Sequence, residues 1–197
     1  MSFVIEPFGE SALRIEVPAT SDRRALLDAL VTIPGVLDAH ASESHVCVRF
    51  EGTPPSLDDL ASRVERAARR EPREHVIEVI YDGEDLDEVA SLSGLDRDEV
   101  IARHARAAYD VSFVGFLPGF GYLRGLDPAL AGIPRCASPR PRVPAGAVAI
   151  AGGFTGVYPW SSPGGWRLLG HAPRFEPLEG DHVRLAIGDR VRFERVG

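Results

Sequence analysis

Apolar and polar residues change their spacing once along the chain, near position 110. Before it, strand and helix periods alternate. Residues 11–17 place Leu13, Ile15 and Val17 on one side, the period-2 pattern of a half-buried strand. After Ser21, Leu26, Leu27, Leu30 and Val31 recur at helical spacing, and Pro34-Gly35 ends the run. Residues 36–41 and 45–50 read as a strand pair turning at Ser42, Glu43 and Ser44. Ser56 can cap a helix that carries Leu57, Leu60, Ala61, Val64 and Ala68 inward. Residues 74–81 alternate again and read as a strand. The order β-α-β-β-α-β is that of a ferredoxin-like sandwich. Two more helices follow. One begins at Asp85 and stops at Gly94; the other starts with a capping box, Asp96 and Glu99, and sets Val100, Ile101, His104 and Ala108 on one face.

From Val111 the helical period disappears. Short apolar runs such as 147–151 and 183–187 are separated by Gly and Pro, which predicts an all-β barrel or sandwich with long ordered loops. Phe113, Phe116, Phe120, Tyr122, Phe154, Tyr158, Trp160 and Trp166 supply too much aromatic surface for a disordered linker. The expected organisation is an α+β domain over 1–82, a helical connection over 83–110 and a β-barrel domain over 111–197.

Composition sharpens this division. The 197 residues carry a net charge of −7, and every one of the 22 basic residues other than His is Arg. Residues 1–110 hold 12 Arg against 23 acids, whereas residues 111–197 hold 10 Arg against six. Between Val111 and Phe175, Asp127 alone faces Arg124, Arg135, Arg140, Arg142, Arg167 and Arg174. The chain is thus two unlike halves, one acidic and one basic. The chain lacks Lys, Asn and Gln. That excludes a Schiff-base lysine, a Walker A loop and amide oxyanion donors, leaving backbone N–H, hydroxyls and Arg to hold an anion. The negative total and the absence of any RNA or DNA motif argue against nucleic acid. No apolar run reaches transmembrane length and no signal pattern follows Met1, so a cytoplasmic protein with Cys47 and Cys136 reduced is expected.

The usual catalytic strings are missing. There is no G-x-S-x-G, no H-E-x-x-H and no C-x-x-C; His40 and His45 are two isolated imidazoles, so no metal site is expected. Gly119, Gly121 and Gly125 miss the dinucleotide-loop spacing by one. His104, on an apolar helix face, reads as a core histidine. Candidate chemistry lies in three blocks between 113 and 173. Residues 113–123 combine glycines with an aromatic wall that includes Phe120. Residues 134–146 present Arg135, Arg140 and Arg142 from a proline-stiffened strap, an anion-binding pattern. Residues 152–173 bring Gly152, Gly153, Gly164 and Gly165 together with Thr155, Tyr158, Ser161, Ser162, Trp166 and His171. The glycines can form a backbone nest, and His171 can move a proton near neutral pH.

These blocks carry a family resemblance. FVGFLPGFGYLRGLDP at 113–128, PRPRVPAG at 139–146, AIAGGFTGVYP at 149–159 and SSPGGWRLLGHAP at 161–173 closely resemble the 5-oxoprolinase B subunit family, also called allophanate hydrolase subunit 1. That family is related to the carboxyltransferase region of urea carboxylase and includes a sporulation-kinase inhibitor. The resemblance implies a small α+β domain followed by a cyclophilin-like β-barrel. It implies a homologous second subunit, and in the oxoprolinase system a third, lactam-binding subunit, with ATP used at the level of the complex and no metal or biotin site in this chain. Two positions depart from the usual strings: Phe154 stands where Gln is usual, and His171-Ala172 where Arg-Thr is usual.

The expected activity is that of a subunit in the ATP-dependent opening of a cyclic amide, 5-oxoproline, inactive without its partners. Arg140 and Arg142 would bind the carboxylate or a phosphorylated intermediate. Backbone N–H groups at Gly152, Gly153, Gly164 and Gly165 would hold the oxyanion. Thr155 and Tyr158 would orient the ring against Phe120 and Trp166, and His171 would carry the proton. Two other readings stand beside it: a urea- or allophanate-processing carboxyltransferase component, and a regulatory inhibitor of a histidine kinase.

Overall fold

A computed structural model describes residues 4–18, 21–66 and 71–197. Contacts divide the chain into two compact units, Met1–Pro72 and Arg73–Gly197.

The first unit contains β1 (Ile5–Pro7), β2 (Ala12–Glu16), α1 (Arg23–Leu30), β3 (Val36–Ala41), β4 (His45–Phe50) and α2 (Leu57–Arg66). Its antiparallel sheet runs β1-β2-β4-β3. Leu13, Ile15, Val46 and Val48 fill one sheet face under Leu26, Leu30 and Leu60 of the helices. Alternation and helical spacing had marked Leu13, Ile15, Leu26, Leu30 and Leu60 as inward. Asp22 caps α1 by accepting from Ala25 N at 3.0 Å. Val31 and Leu57, expected inside, are half exposed because they lie at the C-cap of α1 and the first position of α2. The Val64 side chain and Ala68 fall outside the described residues. The 74–81 strand does not complete this sheet; the short hairpin strand β1 takes the edge beside β2 instead.

The second unit holds β5 (Glu74–Val79), α3 (Leu86–Ser93), α4 (Arg97–Arg106), β6 (Ala108–Val114), β7 (Gly121–Arg124), α5 (Pro128–Ala131), β8 (Arg140–Val143), β9 (Ala147–Ala151), β10 (Phe154–Val157), β11 (Ser162–Gly164), β12 (Arg167–His171), β13 (Leu178–Glu179), β14 (His182–Val183) and β15 (Arg190–Arg195). The boundary between units therefore falls at Pro72/Arg73 rather than after 82, and α3 and α4 pack within this unit instead of linking two domains. Seven strands run β12-β9-β10-β7-β6-β15-β5, antiparallel except for β5 with β15. The two ends of this sheet nearly close. Ile80, just past β5, exchanges two backbone hydrogen bonds with His171 of β12, each 2.9 Å, and Gly83 N donates to Leu169 O at 3.0 Å. Gly170 is required there, since a Cβ would run into the Ile80 carbonyl.

Val79, Leu86, Val100, Val111, Ile150 and Phe193 belong to the core enclosed by this sheet and its helices. The predicted capping box of α4 is present, with Asp96 Oδ1 accepting from Glu99 N and Glu99 Oε2 from Asp96 N. Ala108, expected on that helix, opens β6 and is exposed. The backbone turns extended at Ala107, and the Tyr109 hydroxyl donates to His104 O, one of the last-turn carbonyls.

Candidate functional site

The run 147–151 is buried along its whole length because β9 is covered on both faces. Val148 and Ile150 face the barrel interior, while Ala147, Ala149 and Ala151 join an outer cluster with Phe120, Val143, Tyr158, Trp166 and Leu168. The small alanine side chains leave room for aromatic rings on that outer face. Phe120 meets Tyr158, Trp166 and Tyr122 edge-on at 5.0–5.4 Å. A ribbon of β8 and β11 lies over this floor. Gly164 packs directly against the Tyr158 phenol, where a Cβ would overlap the ring hydroxyl. Cys136 N donates to Gly165 O at 2.7 Å, tying the preceding strap to the ribbon. The structure thus gathers Phe120, Tyr158, Gly164, Gly165, Trp166 and Arg140 in one place.

Arg140 is held from every side. Its Nε donates to Glu84 at 2.6 Å, one Nη to Asp85 at 2.6 Å, and the other to Cys136 Sγ and Trp166 O at 3.2 and 3.3 Å. Asp85 precedes α3 but makes no side-chain cap; it is buried and accepts instead from Arg140 and from Leu168 N at 2.6 Å. Arg140 therefore fastens the ribbon to the start of α3, and its guanidinium is not open to a substrate. Three more pairs run along the same seam: Arg167 with Glu88, Arg174 with Glu78, and His171 with Asp82. The acidic and basic halves of the sequence meet here, inside the second unit. Of the strap's three arginines, Arg142 has one hydrogen-bond partner among the described residues, Nε donating to Ser161 Oγ at 3.1 Å. Arg135 is exposed with no described side-chain partner.

Other expected residues lie apart. Thr155 is fully buried in the barrel interior, not beside Tyr158. Its hydroxyl donates to Ala149 O at 3.0 Å and lies 2.8 Å from His104 Nε2, while His104 Nδ1 is 2.8 Å from the Tyr81 hydroxyl. One proton arrangement satisfies all of these groups. Tyr81 donates to Nδ1, neutral His104 donates from Nε2 to Thr155, and Thr155 donates to Ala149. Burial pushes His104 down to about 3 and raises Tyr81, so both stay neutral. Thr155 is therefore a core hydrogen-bond link and not a ring-orienting group. Gly152 and Gly153 form the two-residue turn between β9 and β10, with φ of 56° and 86°. Both positive angles are what such a hairpin turn demands, and Gly152 N already donates to Ile133 O at 2.9 Å.

His171 occupies the barrel seam. Its Nδ1 donates to Asp82 at 2.9 Å, which leaves Nε2 as an acceptor on a side chain that is 40% exposed. It pairs in register with Ala147, so the imidazole shares the outer face with the aromatic floor. Asp82 gave no signal in the sequence, because only tertiary pairing puts it beside residue 171. Phe116, edge-on to Phe120 and Tyr158, has φ 69° and is 58% exposed beside an apolar hollow of about 310 Å³. Among the described residues, no group of three His, Cys, Asp or Glu side chains is placed to hold a metal, and no helix is long and apolar enough to cross a membrane.

The family described as "Carboxyltransferase domain, subdomain C and D" matches residues 3–182. The chain is 39% identical to the 5-oxoprolinase B subunit of Escherichia coli O157:H7, over 94% of this chain and 92% of that protein. It is 48% identical to the 5-oxoprolinase B subunit of Bacillus subtilis (strain 168), a match that spans 61% of this chain and only 52% of the relative. The solved structure of TTHA0988 aligns with a TM-score of 0.81 and 39% identity, over 95% of this chain and 40% of that one. The urea carboxylase of Kluyveromyces lactis aligns with a TM-score of 0.71 over 99% of this chain and 22% of that one; at 16% identity it shares the fold alone.

Proposed function

The chain belongs to the carboxyltransferase domain, subdomain C and D, family, and on that footing we propose that it is the B-type component of an ATP-dependent 5-oxoprolinase. The observation that carries this reading is the near full-length match to a 5-oxoprolinase B subunit, 39% identical across 92% of that protein. The proposed reaction opens a lactam to a carboxylate, with ATP used at the level of the complex. The partners proposed are a homologous second subunit and a lactam-binding third one, in the cytoplasm.

Within that reading, the outer face of β9, β10 and β12 is the working surface. Arg142 takes the anionic group, since among the described residues its guanidinium bonds one partner, Ser161. Gly164 lets the ribbon seat directly on the buried floor of Tyr158, Phe120 and Trp166, and Gly165 carries its backbone along the edge of this face. His171 carries the proton at Nε2, with Asp82 fixing the opposite nitrogen and hence the tautomer. Arg140 and Thr155 support the site without touching substrate.

The test is 5-oxoproline-dependent ATP hydrolysis by the chain alone and with co-expressed partner subunits. Activity confined to the complex is the expected result. Full activity of the isolated chain refutes the need for partners, and no activity in the complete complex refutes the substrate. The family description favours one further reading, a carboxyltransferase component that works with a biotin-carrying partner. Co-purification of a biotinylated chain in place of a lactam-binding one would select it.

A further inference from the structure

From the exposed apolar side chains around Phe116, we infer that the turn 114–119 and the β13–β14 hairpin form the docking surface for the second subunit, which offers it a bulky apolar side chain and a neighbouring cation. The identity of the partner rests on the proposed function; the surface does not. Among the large apolar side chains exposed in the second unit, Phe116, Trp160, Leu178 and Val183 lie together. Phe116 and Val183 line one hollow, Leu178 pairs in register with Val183, and Trp160 Nε1 donates at 3.0 Å to the carbonyl of Pro118 in the hollow's wall. A cluster of exposed apolar groups, unlike a scatter, marks an interaction surface. Phe116 carries the argument furthest. Leu117 N donates to Gly115 O at 2.8 Å, closing a γ-turn with Phe116 at its centre and φ at 69°. Left-handed backbone favours glycine, and a bulky ring there is an outlier. The ring meets Phe120 and Tyr158 edge-on at 5.6 and 6.3 Å, yet more than half of the residue stays exposed. Stability of the isolated chain gains little from such a residue, whereas a partner that covers the ring gains an anchor. The turn is also held rigid. Phe120 N donates to Leu117 O at 3.0 Å, and a Cβ on Gly119 would lie 2.9 Å from the Pro177 side chain. A fixed anchor loses little entropy on binding.

Charge states the chemistry of the occupant. Residues 176–184 carry Glu176, Glu179 and Asp181 against Arg184 and His182. Glu176 pairs with Arg184 and Glu179 with Arg73, whereas Asp181, exposed at the hairpin tip, has no partner among the described residues. A chain that sets a cation beside Asp181 and an apolar side chain in the hollow is complementary on both counts. Because Phe116 touches Phe120 and Tyr158, a subunit docked here borders the working surface.

Calorimetric titration of the full chain with the purified second subunit decides the matter, with a circular-dichroism melt of each variant. Phe116→Gly is expected to weaken binding by about tenfold or more, while the isolated chain melts at the same or a higher temperature because glycine suits the turn. Asp181→Lys is expected to weaken binding at low salt, with the loss fading as salt is raised. Leu92→Ser, an exposed apolar residue on α3, is expected to bind as the wild type does. If Phe116→Gly does not fold, Val183→Ser takes its place with the same expectation. Unchanged affinity in the folded hollow variant, an equal loss in Leu92→Ser, or no binding by the wild type overturns the inference. Self-association of the chain that Phe116→Gly abolishes overturns it too, by giving the surface to a second copy. Oxoproline-dependent ATP hydrolysis is scored separately: a complex that forms through this surface but does not hydrolyse refutes the function and leaves the docking surface standing.

Discussion

Acid should unfold the second unit through one residue, His104. Its ring is completely buried and stacks on Phe193 at 4.7 Å between the hydroxyls of Tyr81 and Thr155. Folded, it stays neutral down to about pH 3; unfolded, it titrates near 6.5. Below 6.5 the unfolded chain binds the extra proton, so falling pH favours unfolding. The stabilisation is complete above the unfolded value and is lost progressively toward the folded one. Between pH 7.5 and 5.0 the linkage amounts to about 2 kcal/mol, a figure that holds for any folded value well below 5. The double variant Tyr81→Phe/His104→Phe removes the titrating ring and its hydroxyl partner together, and Thr155 keeps its bond to Ala149. Urea unfolding at half-unit pH steps, followed by far-ultraviolet circular dichroism, gives stability for both proteins. Over this interval the wild type should lose about 2 kcal/mol more than the variant. Parallel curves would refute the neutral, Nε2-protonated His104 on which the core network is built.

Thr155→Val should cost about 1–2 kcal/mol, because it leaves the His104 N–H unpaired, while activity per folded complex stays near wild type; a specific collapse in kcat would restore Thr155 to the chemistry. Arg140→Ala should lower stability by about 2–3 kcal/mol in urea unfolding, since buried Asp85 loses its cation, with the partial exposure of Arg140 moderating the effect. Gly164→Ala should destabilise through overlap with the Tyr158 hydroxyl, and adding Tyr158→Phe should recover part of the loss in melting temperature; no recovery would show that the contact is not limiting. In the active complex, His171→Ala should lower kcat about 10²-fold, and Asp82→Asn should lower kcat less, by releasing the imidazole orientation, without unfolding the chain. An unchanged kcat in His171→Ala would remove His171 from proton transfer.

Much of the local structure was legible because it depends on neighbours in sequence. The hairpin 36–50 needed only alternation around a polar turn, and the α4 cap needed only Asp96 and Glu99 at the right spacing. The destination of 74–79 was not legible. Its alternation fits a half-buried strand in any sheet, and its parallel partner, β15, lies more than a hundred residues away. The candidate site divided along the same line. The structure brings Tyr158, Trp166, Phe120 and the two ribbon glycines of the motif blocks together. Those blocks could not distinguish the three strap arginines, which share a proline-rich context but have different partners. Arg140 meets Glu84 and Asp85, Arg142 meets Ser161, and Arg135 meets no described acid. Thr155 misled for a related reason: alternation along β10 puts it inward while Tyr158, past the strand's end, joins the outer cluster.

The sequence by itself determined the apolar periods, the caps, the glycine turns and the family strings, since each depends on residue type and short spacing. Charge was different. An acidic half and a basic half looked like a surface built for another molecule. Only closure of the barrel, with Ile80 against His171, brought Glu78, Asp82, Glu84, Asp85 and Glu88 alongside Arg174, His171, Arg140 and Arg167. Coulomb attraction acts over a few ångströms in space regardless of separation in sequence. The composition could count these charges; the tertiary structure decided which of them neutralise one another and which remain for a ligand.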